Sequence, residues 1–190
     1  MPEEIEAKVR IASPEDFRRR LAARGLAEAG TVFEVNRLFD DAAGSLRRRG
    51  SALRLREERR PDDGTPVRAV LTFKGPVAES RMKRRPEVEV VVGAAAPVAA
   101  ILEALGLAEA FRYEKRRTTW HAGPCEVVLD EVPHLGWFAE VEGPSEEAVE
   151  AVLDDVGLGG EPIIRRGYVR LLSQHLESLG LDPTRAVFSP

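Results

Sequence analysis

The chain has 190 residues, a formal net charge of −4 and a single cysteine, Cys125. This length fits one domain with one hydrophobic core, and a lone cysteine excludes an internal disulfide. The small net charge excludes the uniformly basic surface that is typical of nucleic-acid-binding proteins. No run of about 18 apolar residues predicts a transmembrane helix, and the acidic start at residues 1–4 is unlike a signal peptide. We therefore expect a cytoplasmic protein without a membrane partner.

The first predicted element is a strand over residues 4–11, where charged and apolar side chains alternate strictly. Alternation places Glu4, Glu6 and Lys8 on one face of the strand. Ser13 followed by Pro14 then predicts the start of a helix that ends near Gly25.

The middle of the chain reads as four further strands. Arg54 and Arg56 share one strand face, Lys74 ends another strand, and Pro86 predicts a sheet edge or a bulge in the last of the four. We predict these strands over residues 32–40, 52–58, 67–74 and 81–92.

The second half of the chain repeats this order of elements. Pro97 predicts a helix that ends at Gly106, and three strands follow it over residues 111–120, 125–132 and 137–142. Both halves thus have the order β-α-β-β-β, which suggests a duplication and favours a closed barrel over an open sandwich. Two more helices are predicted over residues 145–157 and 166–180. We assign residues 1–180 to one domain and 181–190 to a C-terminal tail.

Charged residues occupy one face of at least six of the predicted strands, while apolar residues occupy the other. A solvated polar face explains any one of these strands taken singly. A barrel with helices outside and charges in its lumen explains all of them together. Charges buried in a lumen are costly unless they are paired or bind a ligand, so the pattern predicts a highly charged ligand with metal counterions.

The charged faces carry two groups of residues. Basic side chains can surround phosphate oxygens, and Arg can do so with two parallel hydrogen bonds; the basic residues are Lys8, Arg54, Arg56, Lys74, Arg85, Lys115 and Arg117. Carboxylates are the ligands that Mg²⁺ and Mn²⁺ prefer; the acidic residues are Glu4, Glu6, Glu87, Glu89, Asp130, Glu140 and Glu142.

These residues occur in motifs that resemble those of the CYTH family, also called triphosphate tunnel metalloenzymes. The resemblance follows family order over residues 4–172 and covers nearly the whole chain. The matching motifs are Glu4-x-Glu6-x-Lys8, ALRLR at 52–56, LTFKG at 71–75, Arg85-x-Glu87-x-Glu89, Lys115-x-Arg117, Leu129-Asp130 and LGWFAEVEG at 135–143.

The resemblance implies an α+β fold, with a closed eight-stranded antiparallel β-barrel and helices packed outside it. It also implies a small-molecule triphosphate substrate and a divalent cation, Mg²⁺ or Mn²⁺. By position, Glu6 and Lys8 would be catalytic, and Lys8 would also contact the triphosphate together with Arg54, Arg56, Lys74, Arg85, Lys115 and Arg117. The metal ligands would be Glu4, Glu6, Asp130, Glu140 and Glu142. Glu87 and Glu89 would orient basic residues, and Gly167-Tyr168 departs from a common Ser-Tyr motif, so the resemblance gives Tyr168 no role.

Three functions stay open at the level of sequence. Metal-dependent hydrolysis of a triphosphate is favoured, because no base-recognition motif is visible. The alternatives are a class IV adenylyl cyclase, which forms cyclic AMP and pyrophosphate from ATP, and a non-catalytic polyphosphate-binding module, against which the seven acidic residues argue. Isolated histidines argue against a zinc site, and the lack of an aromatic stacking platform argues against nucleic acid. A homodimer is an open alternative.

Overall fold

The computed structural model describes residues 3–189. Within them the chain forms nine strands and five helices. The strands are β1 (Glu3–Ile11), β2 (Glu28–Asp40), β3 (Ala52–Arg59), β4 (Pro66–Lys74), β5 (Lys83–Val92), β6 (Ala108–Ala122), β7 (Cys125–Val132), β8 (Gly136–Glu142) and β9 (Arg185–Ala186). The helices are α1 (Pro14–Ala23), α2 (Ser45–Arg48), α3 (Ala95–Ala104), α4 (Glu146–Asp155) and α5 (Tyr168–Ser178).

Eight of these strands form a closed antiparallel barrel, which confirms the predicted fold class. Their order around the barrel is β2-β3-β4-β5-β1-β8-β7-β6, and β6 pairs with β2 to close the ring. The short strand β9 runs parallel to β6 outside this ring, where Arg112 and Tyr113 lie opposite Arg185 and Ala186. Closure leaves the barrel itself without a free sheet edge.

The element order has an internal symmetry. The first half is β1-α1-β2-β3-β4 and the second is β5-α3-β6-β7-β8, with the one-turn helix α2 inserted in the first half. The first strands of the two halves, β1 and β5, pair with each other, as do the second strands, β2 and β6. This arrangement agrees with the two-halved barrel that the sequence suggests.

Helices cover much of the outer face of the barrel, because the alternating strands present apolar residues there. Phe17 and Leu21 of α1 and Val149 of α4 are buried against β1, β7 and β8, and Leu102 of α3 is buried against the region of Leu55 in β3. Ser13 caps α1 as predicted, since its hydroxyl oxygen accepts a hydrogen bond from the Asp16 N–H at 3.2 Å. Burial of each large side chain of this kind stabilises the fold by about 2 kcal/mol.

The helix α5 packs against the lumen side of the barrel wall. Its Tyr168, Leu172 and Leu176 contact a cluster that includes Phe111 and Phe138. Each of these two phenylalanines lies an even number of residues from the charged lumen residues of its own strand, so its side chain also faces the lumen. The helix α5 therefore covers an apolar end of the lumen.

Several boundaries differ from the predicted ones. The strands β2 and β6 extend beyond residues 32–40 and 111–120, while α2 and β9 were not predicted. Pro86 is the last residue of β5 that pairs with β1, and from Glu87 onward the strand pairs with β4. A residue without an N–H is tolerated where one ladder ends and another begins.

No helix within residues 3–189 combines the length and the apolar character that crossing a membrane requires.

Candidate functional site

The lumen of the barrel holds a cavity of about 1360 Å³. Every predicted site residue lines this cavity except Asp130, which lies fully buried behind its neighbours. Alternation along each strand accounts for this convergence, because side chains two residues apart point to the same face of the sheet. The barrel therefore brings residues from distant parts of the sequence around one space.

The first strand supplies Glu4, Glu6 and Lys8 to the lumen. Lys8 is 1% exposed, and its Nζ lies 3.1 Å from Glu140 Oε1 and 3.8 Å from Glu6 Oε1. The same Nζ donates a hydrogen bond to the carbonyl oxygen of Arg166 at 3.3 Å and lies 3.9 Å above the ring of Tyr168. Lys8 is thus held in one position by contacts from two strands and from the start of α5.

We call one part of the lumen the basic side; it consists of Arg54 and Arg56 on β3 and Lys115 and Arg117 on β6. The strand β2 lies between β3 and β6 and pairs with both. The Nε atom of Arg54 is buried and has no hydrogen-bond partner within residues 3–189. The Nε atom of Arg56 is also buried and forms an ion pair with Glu58 Oε1 at 3.3 Å, but without the alignment of a hydrogen bond. A buried donor without a partner costs about 1–3 kcal/mol, and both arginines line the cavity. A ligand with acceptor oxygens would satisfy these donors.

Asp130 anchors the β6 part of the basic side. It accepts hydrogen bonds from Lys115 Nζ at 3.1 Å and from Arg117 Nε at 2.7 Å, and from the hydroxyl of Tyr168 at 2.9 Å. Arg117 also donates to Glu140 on β8, the strand on the other side of β7. Burial would lower the pKa of Arg117, but Asp130 and Glu140 outweigh it and raise that pKa well above its usual value.

Lys74 and Arg85 lie on the other flank of the cavity. Lys74 Nζ donates to Glu4 Oε1 at 2.8 Å and also to Glu87. Arg85 Nε donates to the carbonyl oxygen of Gly75 at 2.8 Å, so part of its hydrogen-bonding capacity holds the β4–β5 connection in place.

We call the opposite part of the lumen the acidic side; it consists of Glu4 and Glu6 on β1 and Glu140 and Glu142 on β8. The strand register places Glu6 directly opposite Glu142 and Lys8 opposite Glu140. Like charges in facing positions repel each other. Burial, together with the nearby Glu4 and Glu6 carboxylates, raises the pKa of Glu142 to about 7.

Glu87 shows a related effect beside the acidic side. Burial and a hydrogen bond with Glu4 raise the pKa of Glu87 to about 7. Burial alone would also raise the pKa of Glu4, but Lys83 and Lys74 outweigh it and hold that pKa well below its usual range. Glu4 is therefore the charged member of this pair, and its Oε2 atom is buried without a hydrogen-bond partner within residues 3–189.

The donor set of the acidic side fits a divalent cation. Its oxygens repel one another, one of them is an unpaired buried carboxylate oxygen, and carboxylates are the ligands of hard cations. Within residues 3–189, no three acidic, histidine or cysteine side chains already form a metal-ligating cluster.

Some residues in or beside the lumen are absent from the predicted site, and four of them contact its charged residues closely. Lys83 donates a hydrogen bond to Glu6 Oε1 at 2.7 Å, and it has the parity of Arg85, which could have identified it. Tyr168 had no assigned role, and the structure places it beneath Lys8. Glu34 and Asn36 on β2 are buried beside the basic side, but their strand mixes polar and apolar residues on both faces, which gives a weaker signal.

Comparisons with known proteins agree with this architecture. The profile of the CYTH domain matches residues 2–168. A protein of Methanocaldococcus jannaschii named "Putative adenylate cyclase" is 28% identical over 178 residues, which cover 88% of this chain and 97% of the relative.

Two solved structures show the same fold. The PH1819 protein of Pyrococcus horikoshii superposes with a TM-score of 0.76 at 24% identity, over 90% of this chain and 98% of its own. The Hippeastrum protein HpAC1, described as a "putative adenylyl cyclase" with a dominant triphosphatase activity, gives a TM-score of 0.66 at 22% identity, over 94% and 97% of the two chains. With a matching profile over most of its length and a barrel of the same architecture, the chain belongs to the CYTH family.

Proposed function

We propose that this protein hydrolyses a triphosphate, either inorganic or organic, which binds in the barrel lumen together with a divalent cation. The observation that carries this proposal is the buried, unpartnered Nε donor of Arg54, which lies with the neighbouring guanidinium group of Arg56 beside the 1360 Å³ cavity. These fixed donors suit the oxygens of a polyphosphate, because a guanidinium group binds phosphate with two parallel hydrogen bonds.

Family membership supports the class of substrate. CYTH proteins act on small-molecule triphosphates, as triphosphatases or adenylyl cyclases, and they generally depend on a divalent metal. HpAC1 in particular is described as having a dominant triphosphatase activity. We extend that activity to this chain because its lumen has both a basic side and an acidic side.

The basic residues bind and orient the substrate in this proposal. Phosphoryl transfer needs little covalent assistance from the protein, and its rate depends on positioning and on stabilising the charge of the transition state. Electrostatic stabilisation of this kind is strongest where water is excluded, and Lys8, Lys115 and Arg117 are all largely buried. The residues that would contact the triphosphate are Lys8, Arg54, Arg56, Lys74, Arg85, Lys115 and Arg117.

Lys8 and Glu6 would act at the reacting phosphate. Water attacks the terminal phosphorus while the bridging P–O bond breaks, so that orthophosphate leaves the remainder of the substrate. Lys8 is held between Glu140 and Glu6, where its ammonium group would stabilise the charge on that phosphate. Glu6 would orient the attacking water and accept its proton.

The acidic side would hold the cation, Mg²⁺ or Mn²⁺, which would neutralise charge on the phosphate oxygens. Glu4, Glu6 and Glu142 have the simplest access, since they converge on the cavity and repel one another. Asp130 and Glu140 are the other proposed ligands, and each must first give up a hydrogen bond from Arg117.

Adenylyl cyclisation is the second candidate function. It is favoured by the relative in Methanocaldococcus jannaschii that is named "Putative adenylate cyclase". A cyclase must hold the ribose so that its 3′-hydroxyl attacks the α-phosphate, and pyrophosphate then leaves instead of orthophosphate.

One assay separates these functions. The purified protein is incubated with inorganic triphosphate or ATP, in the presence of Mg²⁺ or Mn²⁺, and the products are resolved by chromatography. We expect orthophosphate with no cyclic nucleotide. Cyclic AMP and pyrophosphate from ATP would replace the hydrolase with the cyclase, and tight triphosphate binding without turnover would leave a binding module.

A further inference from the structure

Glu34 is a buried carboxylate that lies against the basic side of the lumen. A negative charge is unexpected there, because the residues that bind a triphosphate should be positively charged. The Glu34 side chain is 1% exposed, and its oxygens lie 3.5 Å from Lys115 Nζ, 3.6 Å from Arg56 Nη1 and 3.8 Å from Arg117 Nε. Those three cations line the cavity, whereas Glu34 does not. The carboxylate therefore lies behind the cations, on the side away from a bound ligand.

Asn36 holds this carboxylate in place. The Asn36 Nδ2 atom donates a hydrogen bond to Glu34 Oε2 at 3.1 Å, and Asn36 is fully buried. The strand register reinforces the arrangement, because Glu34 lies opposite Lys115 on β6 and Asn36 lies opposite Arg56 on β3. Backbone pairing thus sets where the carboxylate stands relative to its cations.

The three cations need such a partner. Their positive charges repel one another at close range, and the rotamer entropy of each long side chain favours many positions. Burial alone would raise the pKa of Glu34, but Lys115, Arg56 and Arg117 outweigh it and hold that pKa well below its usual range. Glu34 is therefore an anion at neutral pH, and it attracts all three side chains to one point.

We infer that Glu34, fixed by Asn36, is a positioning residue that aligns Arg56, Lys115 and Arg117 for the triphosphate without contacting it. The inference rests on the proposed function, since it assigns a role within the same site. It deepens that function by naming the group that orders the basic side before the substrate binds.

The sign of one substitution tests the inference. If Glu34 only added negative charge near the ligand, Glu34→Gln would strengthen triphosphate binding by removing a repulsion. If Glu34 aligns the cations, Glu34→Gln will weaken binding of inorganic triphosphate by about tenfold, although a negative charge is lost. Isothermal titration calorimetry measures this affinity directly, and an unchanged or higher affinity in the folded variant would overturn the inference.

A second variant keeps the test decisive if Glu34→Gln does not fold. Asn36→Ala preserves every charge and removes the carboxamide that holds Glu34, so we expect it to weaken triphosphate binding in the same direction by a smaller factor. Unchanged affinity in folded Asn36→Ala would also count against the inference.

The matched control is Glu57→Gln, because Glu57 lies on β3 with the opposite parity to Arg56 and pairs with Arg59. We expect its affinity to equal that of the wild type. Failure of the proposed function can be told apart from failure of this inference. If the wild type binds triphosphate but does not hydrolyse it, the proposed hydrolysis is refuted, while the affinities of the variants can still be compared.

Discussion

The basic side and the acidic side of the lumen both contain buried charged groups that the protein does not fully pair, but the charges have opposite signs. On the basic side, Arg54 has a buried Nε donor that no residue within 3–189 satisfies. On the acidic side, facing carboxylates repel one another, and the pKa of Glu142 is raised to about 7 by burial and by Glu4 and Glu6. Each side is thus incompletely compensated by the protein.

The opposite charges of the two sides indicate what kind of ligand would pair with both of them. Buried charges that lack partners cost free energy, and a triphosphate with a divalent cation supplies the missing acceptors to one side and the missing positive charge to the other. A single anion or a single cation would relieve only one side. The comparison therefore favours a metal–triphosphate complex as the ligand.

The largest expected effect comes from the acidic side. Glu4→Gln should lower metal-dependent triphosphate turnover by roughly 1000-fold, because it removes the charge of a proposed cation ligand. Steady-state kinetics at saturating Mg²⁺ measures the loss. Glu3→Gln is the control on the same strand, since Glu3 is exposed and pairs with Arg84. Wild-type turnover by Glu4→Gln would refute the proposed metal site.

Substitutions on the basic side should weaken substrate binding and also slow turnover. Arg56→Ala removes a guanidinium group and its positive charge from the cavity, so kcat/KM for inorganic triphosphate should fall by roughly 100-fold. The exposed Arg60, which pairs with Asp62 and Asp63 in a turn, provides the control Arg60→Ala. If both variants lose activity equally, a general effect of net charge would explain the result better than this site.

The raised pKa of Glu142 predicts a pH dependence of stability. A carboxyl whose pKa is higher in the folded state contributes stability below its unfolded value of 4.5, and this contribution is lost as the pH rises through about 7. In the absence of metal, thermal melts between pH 5 and 8 should therefore fall less steeply for Glu142→Gln than for the wild type. Identical profiles would show that the carboxylates of the acidic side do not repel one another as described.

The smallest expected effect concerns Tyr168, which lies beneath Lys8. Tyr168→Phe keeps the ring but removes the hydrogen bond to Asp130, which should lower the free energy of unfolding by about 1 kcal/mol. Tyr168→Leu also removes the ring beneath the Lys8 ammonium group and should lower kcat further. Chemical denaturation and kinetics on the two variants separate these contributions, and equal kcat values would leave the ring without a role.

Much of the fold could be predicted because strand alternation is a local pattern. The run from Glu4 to Ile11 shows by itself which side chains share a face, and the structure places Glu4, Glu6 and Lys8 together in the lumen. The pairing of β2 with β6 could not be read from such a pattern, because it joins residues about 80 positions apart through register alone.

The candidate site was predictable to a similar extent. Side chains on strictly alternating strands were predicted to face the lumen, and they do. Glu34 and Asn36 were missed because β2 places apolar Val32 and Leu38 at the same parity. Their importance comes from tertiary contacts with Lys115 and Arg56. Lys83 was on the recognised face, but only the observed pairing with Glu6 gives it a role.

The central claim, that both sides of the lumen share one ligand, is tested most directly by calorimetry with a non-hydrolysable imido analogue of triphosphate. The affinity of the protein for this analogue is measured with and without Mg²⁺. In the measurement with Mg²⁺, the concentration of the Mg²⁺-bound analogue is taken as the ligand concentration. The account predicts that Mg²⁺ tightens binding by at least about tenfold, because a coupling of 1–3 kcal/mol is typical of linked sites. Equal or weaker binding with Mg²⁺ would contradict it.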